Sequence, residues 1–543
     1  MLGLTYNAPK SKGGFFEMLD ANRCFMRFSD RAERVDSQEI AETFVSVGPL
    51  LDTLESTNNQ IIYGRRGTGK THALRYFLGR RNIQGDLAVY IDCQNIGSNQ
   101  SIYDDKSLPL PERATRLLID VCAALHAGLL DIFTDPGSKW DVSAAAPLLD
   151  AFVQAISEVR VIGTVETENS VQTALSSKNS SGVELSVAKA PSAKLSSNDE
   201  ASHSEATNRR TAEKGTESAW IDFNYLNQRV RALSDFIKPK RIWILIDEWS
   251  TVPSDLQPYL ADLLRRTFFT SQNITVKIAA IEHRSVVKID RPDSSYIGFE
   301  LGADILPAIN LDDYLVFDNN EIRAVQFFKR LIENHAANVS KSLGIDLGVT
   351  DGIIGTAFTQ QNVFTEFVRA SEGVPRDAMH VLALAAQKAN DVPISMPTLR
   401  SAALVFFQQD KYSAIQSNPA NREMLDWIRD EVIGKRRTRA FLLPVNVKDE
   451  TIDRLFDRRA LHIKSRSMSS AHRAGERFVV YKLDYGCYAD LVNTNKSTTG
   501  MLLADLDAVD ADFDVPDDDA RSYRRAVLDI SSFYEKRGRE RRP

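Results

Sequence analysis

The sequence GRRGTGKT at residues 64–71 follows the apolar stretch IIY at 61–63 and opens a segment, 71–81, with the apolar spacing of a helix. It fits the pattern GxxxxGK[ST] in full, in the strand-then-helix context that this pattern requires. Glycines let the backbone turn so that successive N–H groups point at phosphate oxygens, and the helix N-terminus favours an anion. We therefore predict a phosphate-binding loop (the P-loop), in which Lys70 contacts the β- and γ-phosphates of ATP and Thr71 binds Mg²⁺. The residues predicted to contact the nucleotide here are Gly64, Arg65, Arg66, Gly67, Thr68, Gly69, Lys70, Thr71 and His72.

A second motif lies in RIWILIDEWS, where five consecutive apolar residues at 242–246 are typical of a strand buried on both faces. The strand ends in Asp247-Glu248, which resembles the Walker B motif. That resemblance implies that Asp247 binds Mg²⁺. A carboxylate beside it can orient and deprotonate an attacking water, so we predict Glu248 as the catalytic base. The alternative is a solvated loop that happens to carry two acids.

Strand and helix patterns alternate along the first 281 residues, which predicts a parallel sheet covered by helices. Helical spacing is found at 37–56, 71–81, 111–134, 144–159, 219–237 and 254–269, and strand-like runs at 61–63, 87–91, 242–246 and 274–281. Helices then dominate from about 320 to 434, and residues 418–495 give the order helix, helix, strand, strand around a polar turn. This last order is typical of a winged helix.

Two further elements resemble AAA-type ATPases. The run ITVKIAAI at 274–281 ends in Glu282, where that family places a sensor of the γ-phosphate, although the family usually has Asn, Ser or Thr there. The sequence GVPR at 373–376 resembles the sensor-2 element of the lid, which implies that Arg376 contacts the γ-phosphate. The alternative for GVPR is an ordinary helix-capping turn.

Together these motifs resemble the origin-recognition-type branch of AAA ATPases and its relatives among signal-transducing NTPases, over about residues 35–495 without an insertion. The resemblance implies an α/β P-loop NTPase with a three-layer parallel sheet, a helical lid and a C-terminal winged-helix-like domain. It also implies a slow, Mg²⁺-dependent ATPase that acts as a switch, with Glu248, Lys70 and Arg376 in catalytic roles. An arginine from a neighbouring subunit often completes such a site, and the candidates are Arg265, Arg266, Arg284 and Arg291.

The predicted organisation has five parts. They are an N-terminal leader at 1–35, a P-loop ATPase core at 36–310 with a polar insertion at about 163–218, a helical lid at 311–415, a winged-helix-like domain at 416–498 (the C-terminal domain), and an acidic and basic tail at 499–543. Two interpretations of the insertion are open: a solvated, partly disordered segment or a partner-binding hairpin.

Composition limits the possible partners. The net charge of −6 gives no overall attraction to nucleic acid, and four scattered cysteines without a CxxC pair argue against disulfides or a zinc site. The N-terminus has no signal-peptide pattern, and we expect no membrane-spanning window. A soluble cytoplasmic protein follows as the expectation.

The output of the predicted switch stays open between two classes. Six basic residues around the predicted recognition helix and wing favour contact with duplex DNA: Arg454, Arg458, Arg459, Lys464, Arg466 and Arg473. Winged helices also bind proteins, and the insertion and acidic tail suit a signalling or defence NTPase that assembles with itself or with protein partners.

Overall fold

A five-stranded parallel sheet forms the centre of the computed structural model, which describes residues 18–97, 103, 105–156, 159–162, 165–167, 211–213, 216–219, 221–345, 352–470, 473–489, 524 and 526–540. The strands in chain order are β1 (Gln60–Tyr63), β2 (Leu87–Asp92), β3 (Val159–Ile162), β4 (Val165–Thr167), β5 (Thr211–Glu213), β6 (Thr216–Ala219), β7 (Ile242–Asp247), β8 (Ile274–Ala280), β9 (Lys288–Asp290), β10 (Tyr296–Gly298), β11 (Leu306–Asn310), β12 (Ala440–Pro444), β13 (Leu461–Ser470) and β14 (Arg473–Leu483). The central sheet has the order β11–β1–β8–β7–β2, and all its neighbouring strands are parallel.

The α-helices of the described residues are α1 (Asp20–Phe25), α2 (Ser37–Thr43), α3 (Leu50–Glu55), α4 (Lys70–Ile83), α5 (Leu110–Thr134), α6 (Val142–Ile156), α7 (Phe223–Phe236), α8 (Gln257–Thr267), α9 (Leu311–Tyr314), α10 (Glu321–Leu343), α11 (Gly352–Ala357), α12 (Gln361–Ala370), α13 (Pro375–Ala389), α14 (Met396–Phe406), α15 (Ser413–Gln416), α16 (Pro419–Arg429), α17 (Glu450–Asp457) and α18 (Ile530–Glu540). Two π-helical turns, Phe407–Tyr412 and Asp430–Lys435, extend α14 and α16.

The central sheet separates two apolar cores because alternate residues of a strand point to opposite faces. Trp243 and Leu245 of β7 join the core that includes α4, whereas Ile244 and Ile246 join the core that includes α5. Every residue of β7 and β8 is buried, as expected for strands covered on both sides. The predicted three-layer α/β fold is therefore confirmed.

Helix α5 is, within the described residues, the one helix long and apolar enough to cross a membrane by length and composition, with a mean hydropathy of 1.8 over its best window. It packs against β2 and contributes eight buried side chains to the apolar core on that face of the sheet. An apolar helix that covers a buried sheet passes the same test, so this feature is explained by the core.

The lid helices and the C-terminal domain share one apolar core with the α4 face of the sheet. The C-terminal domain carries the antiparallel sheet β12–β14–β13 with α16 and α17. The sequence does not predict β12, since its residues AFLLP form a continuous apolar run without alternation. The polar residues from 465 on predict a flexible turn, whereas β13 continues as a strand to Ser470.

Two other predicted segments differ from the structure. The helix predicted at 37–56 is broken into α2 and α3, because Gly48 has a positive φ of 53° and Pro49 caps the second helix. The flanks of the polar insertion pair as antiparallel strands, β3 with β6 and β4 with β5. The rest of the insertion, 168–210, and the acidic stretch 505–519 lie outside the described residues.

Candidate nucleotide-binding site

The P-loop has the backbone geometry that its glycines allow. Gly67 and Gly69 have φ angles of 88° and 94°, a region that residues with a side chain rarely adopt. Lys70 begins α4, and its ammonium donates to the carbonyl oxygens of Gly64 at 2.7 Å and Arg65 at 3.0 Å. Burial lowers the pKa of Lys70, while the nearby carboxylates of Asp247 and Glu248 oppose that shift.

A pocket of about 420 Å³ opens at the P-loop, large enough for a small-molecule ligand. Its lining includes, of the residues predicted from the sequence, Arg66, Gly67, Gly69, Lys70, Thr71, His72, Glu248 and Arg376. His72 lies 3.3 Å from the carbonyl oxygen of Ile40, and burial lowers the pKa of its ring. The structure thus brings together side chains from the P-loop, the Walker B-like strand and the lid turn.

Asp247 lies behind this lining, because strand β7 ends just before the pocket. Its carboxylate is fully buried and accepts hydrogen bonds from the Tyr90 hydroxyl and the Glu248 backbone N–H, each at 2.8 Å. Glu248 has a positive φ of 50°, and its side chain lines the pocket. Burial raises the pKa of the Glu248 carboxyl, and the Lys70 ammonium partly counters that shift.

Arg376 sits directly on the P-loop through the turn that begins α13. Its backbone N–H donates to the carbonyl oxygen of Gly67 at 3.2 Å, and its guanidinium donates to the carbonyl oxygen of Asp30 at 3.3 Å. A Cβ atom at Gly67 would lie 2.9 Å from the Cβ of Arg376, so a side chain at 67 would push the lid turn away. The lid and the P-loop are therefore in contact at their backbones.

Several parts of the pocket were not predicted from the sequence. Residues 29–35, predicted to belong to a leader outside the core, form one wall, and Tyr90 and Asp92 come from β2. Helix α1 holds this leader segment on the lid, where Asn22 donates to the carbonyl oxygens of Asn390 and Val392. No motif marks these residues, although the polar end of the strand-like run at 87–91 was a signal for Asp92.

Four residues predicted to contact the nucleotide do not line the pocket: Gly64, Arg65, Thr68 and Glu282. Glu282 does not line the pocket, because it faces the wing strand β13: its carboxylate lies 2.5 Å from the guanidinium of Arg466 and accepts from the Asn310 amide at 2.9 Å. The Arg65 side chain also points away from the pocket and is 3% exposed. It forms a bidentate contact with Asp312, through its backbone N–H at 2.8 Å and its Nε at 2.7 Å.

The basic residues predicted to face DNA are partly occupied by contacts within the chain. Arg459 lies 3.0 Å from Asp377 and 2.7 Å from Asp410, and Arg466 lies 2.8 Å from Asp313. Arg454 pairs with Glu450 one helical turn away. Arg458 is exposed, and the side-chain surroundings of Arg473 lie outside the described residues.

The candidate arginines for a neighbouring site are mostly paired as well. Arg265 and Arg266 both contact Asp262 at 2.7 Å, and Arg284 contacts Asp457 of the C-terminal domain. Arg291 is exposed in the turn between β9 and β10.

The residues of the pocket fit a magnesium ion bound with phosphates. Mg²⁺ prefers oxygen ligands and uses one or two protein groups together with substrate phosphates. The Thr71 hydroxyl and the carboxylates of Glu248 and Asp92 line the pocket, with Asp247 behind them. The described residues contain no group of three or more His, Cys, Asp or Glu side chains that would hold a metal without phosphates.

Comparisons with known proteins relate one part of this site to a family. The ORC-CDC6-like family model matches residues 28–81, from the pocket-lining leader segment to α4. Among solved structures, the chain is similar to the Aeropyrum pernix ORC1 protein in complex with DNA, with 13% sequence identity and a TM-score of 0.29 over 86% of this chain and 95% of that chain. No curated protein matches the chain. From residue 28 to residue 81, the chain is therefore similar to the ORC-CDC6-like family.

Proposed function

We propose that this chain binds ATP with Mg²⁺ in the P-loop pocket and hydrolyses it slowly as an AAA-type molecular switch. One observation carries the proposal: Lys70, Thr71, Glu248 and Arg376 come from three separate parts of the sequence and line one pocket. The ORC-CDC6-like match over residues 28–81 supports the same class of protein.

The proposed chemistry needs a phosphate cradle and a base. Lys70 would bind the β- and γ-phosphates, and Arg376 would contact the γ-phosphate from the lid side. Glu248 would accept a proton from the attacking water, and the raised pKa of its carboxyl suits a group that must take up a proton. Mg²⁺, when bound by Thr71 and Asp247, would neutralise charge that develops on the phosphates.

The switch would follow from the contact between the lid turn and the P-loop. Arg376 donates its backbone N–H to Gly67, so a change at the γ-phosphate acts on two elements that already touch. A ligand shifts such an equilibrium only through different contacts in the two states. ATP and ADP differ by the phosphate that Arg376 would contact.

The output of the switch would be control of DNA binding or of assembly in the cytoplasm, including assembly of this chain with itself. The alternative is a signalling or defence NTPase that acts through protein partners without direct contact to DNA. Arg454 and Arg458 are exposed and would support binding to duplex DNA through the C-terminal domain. The internal pairing of Arg459 and Arg466 favours an output through protein contacts unless that domain moves.

Binding of ATP with Mg²⁺ to the full chain, measured by calorimetry, tests the proposal. Lys70→Ala should weaken ATP binding about 100-fold, because hydrogen bonds to charged phosphates are worth roughly 1.5–3 kcal/mol each. Lys277→Met is the matched control: this lysine is as buried as Lys70, but it donates to the carbonyl oxygens of Ser56 and Asn58, before strand β1. Equal ATP affinity of wild type and Lys70→Ala would exclude the proposed site.

The mass of the protein, measured with ATP and with ADP, separates the outputs. A complex with duplex DNA that forms only in one nucleotide state supports DNA control, and its affinity should fall with salt. A larger mass without DNA supports assembly. A mass that is independent of nucleotide and DNA would contradict both outputs.

A further inference from the structure

The lid turn that carries Arg376 is held between two buried carboxylates. Glu372 precedes Gly373-Val374-Pro375-Arg376 and is 8% exposed, and Asp377 follows it and is 1% exposed. Glu372 has a positive φ of 50°, and at Gly373 a Cβ atom would lie 2.5 Å from the carbonyl oxygen of Leu315. The turn therefore has little room to change without its flanking residues.

Both carboxylates are paired with cations of the C-terminal domain. Lys482 of β14 lies 3.0 Å from Glu372, and Arg459, at the turn before β13, lies 3.0 Å from Asp377. Lys482 is 1% exposed and also pairs with Asp318 at 2.8 Å. Breaking a buried pair weakens the compensation of a buried charge, so such contacts fix the relative position of the elements that they join.

The P-loop is held by the same domain at its other side. The Arg65 guanidinium donates to the carbonyl oxygen of Leu461 at 2.9 Å and lies 3.0 Å from Nδ1 of His462. Since a guanidinium only donates, Nδ1 accepts and the proton sits on Nε2. That Nε2–H then donates to Asp484 at 2.9 Å.

A buried lysine of the lid closes this chain of contacts. Lys411 is 2% exposed and bridges Asp484 at 2.6 Å and Asp377 at 2.9 Å. A continuous path of charged and hydrogen-bonded groups thus runs from Arg65 in the P-loop, through the C-terminal domain and Lys411, to the residue next to Arg376.

We propose that the C-terminal domain positions both sides of the nucleotide pocket, holding the P-loop through His462 on Arg65 and holding Arg376 through Lys482 on Glu372 and Arg459 on Asp377. Arg459, His462 and Lys482 act as positioning residues, since none of them lines the pocket. The inference rests on the proposed ATP site. The domain is then part of the site and responds to the γ-phosphate through the two elements that it holds.

The test compares the affinities of the full chain for ATP and for ADP, each with Mg²⁺, by calorimetry. Arg376→Ala should lower the preference for ATP over ADP about 10-fold, the size of one charge-assisted hydrogen bond. Arg459→Gln should lower the same preference about 3- to 10-fold, because a misplaced guanidinium recovers only part of that bond. The double variant should be no worse than Arg376→Ala, since positioning has no effect once the positioned group is gone.

The matched control is Arg537→Gln, which removes another arginine–carboxylate pair, to Glu423 at 2.8 Å, that does not touch the lid turn. It should keep the wild-type preference for ATP. If Arg459→Gln does not fold, Glu372→Gln replaces it, because Lys482 then keeps Asp318 as a partner.

Two outcomes would overturn the proposal: an unchanged ATP preference in Arg459→Gln, or losses in Arg459→Gln and Arg376→Ala that add in the double variant. Failure of the proposed function looks different. In that case the wild type itself shows no ATP binding that depends on Lys70.

Discussion

Cationic side chains in the P-loop pocket and in the C-terminal domain are used in opposite ways. Arg66, Lys70 and Arg376 line an open pocket, where an anionic ligand can reach them. Arg459 and Lys482 of the C-terminal domain are paired with carboxylates of the lid, and both pairs are largely buried. A basic run in a sequence therefore predicts an anion-binding surface only when no carboxylate from another part of the fold meets it.

The largest effect is expected on the pocket side of this comparison. Glu248→Gln should lower the rate of ATP hydrolysis about 100- to 1,000-fold, because it removes a general base. The affinity for ATP should stay within about 3-fold, since the phosphate cradle is unchanged. Single-turnover hydrolysis and calorimetry measure the two quantities separately.

Glu282→Gln serves as the comparison variant. Its carboxylate faces Arg466 of β13 and does not line the pocket. The loss of hydrolysis rate in Glu282→Gln should therefore be at least about 10-fold smaller than the loss in Glu248→Gln. A loss in Glu282→Gln as large as that in Glu248→Gln would restore the sensor role implied by the family resemblance.

The second effect concerns stability on the C-terminal side. Burial lowers the pKa of His462 to about 4, so the folded chain keeps this ring neutral while the unfolded chain takes up a proton below about pH 6.5. The contribution of the neutral His462 ring to the free energy of unfolding is fully present above pH 6.5. It is lost as the pH falls through 4, and the loss amounts to roughly 3 kcal/mol. Glutamine at 462 can accept from Arg65 and donate to Asp484 but does not titrate. On acidification, His462→Gln should therefore lose less free energy of unfolding than the wild type, by about this amount.

Urea unfolding between pH 7.5 and pH 4 measures this difference. His335→Gln is a suitable parallel variant, because burial also lowers the pKa of His335 to about 4 in the lid, where its Nδ1 lies 2.8 Å from the Leu331 carbonyl oxygen. An identical pH dependence of wild type and His462→Gln would show that His462 is protonated or exposed in the folded chain.

The smallest effect is expected where β2 supports the Walker B-like strand. Tyr90→Phe removes the hydroxyl that donates to Asp247, which should lower the hydrolysis rate about 3- to 10-fold, the value of one hydrogen bond near 1 kcal/mol. Tyr296→Phe is the control, because its hydroxyl donates to Asp304 in a hairpin outside the pocket lining. Equal rates for Tyr90→Phe and wild type would mean that Glu248 N–H alone orients Asp247.

Much of the site was predictable from the sequence because its motifs are local. The glycines of the P-loop act on the backbone of eight consecutive residues, and the five apolar residues before Asp247 define a buried strand by themselves. The GVPR turn indicated Arg376, and Arg376 does line the pocket. The strand β12 was missed because a short apolar run has no periodicity that separates strand from helix.

The P-loop and the alternation of β1, β2, β7 and β8 with helices, and hence the class of fold, could be predicted from the sequence because they depend on neighbouring residues. The partners of the charged side chains, in contrast, depend on contacts between distant parts of the chain. Asp312 lies 247 residues from Arg65, and Asp377 lies 82 residues from Arg459. Local sequence patterns do not predict pairs at such separations. Whether a buried charge has a partner depends on the tertiary fold, and so does the free-energy cost of burying it.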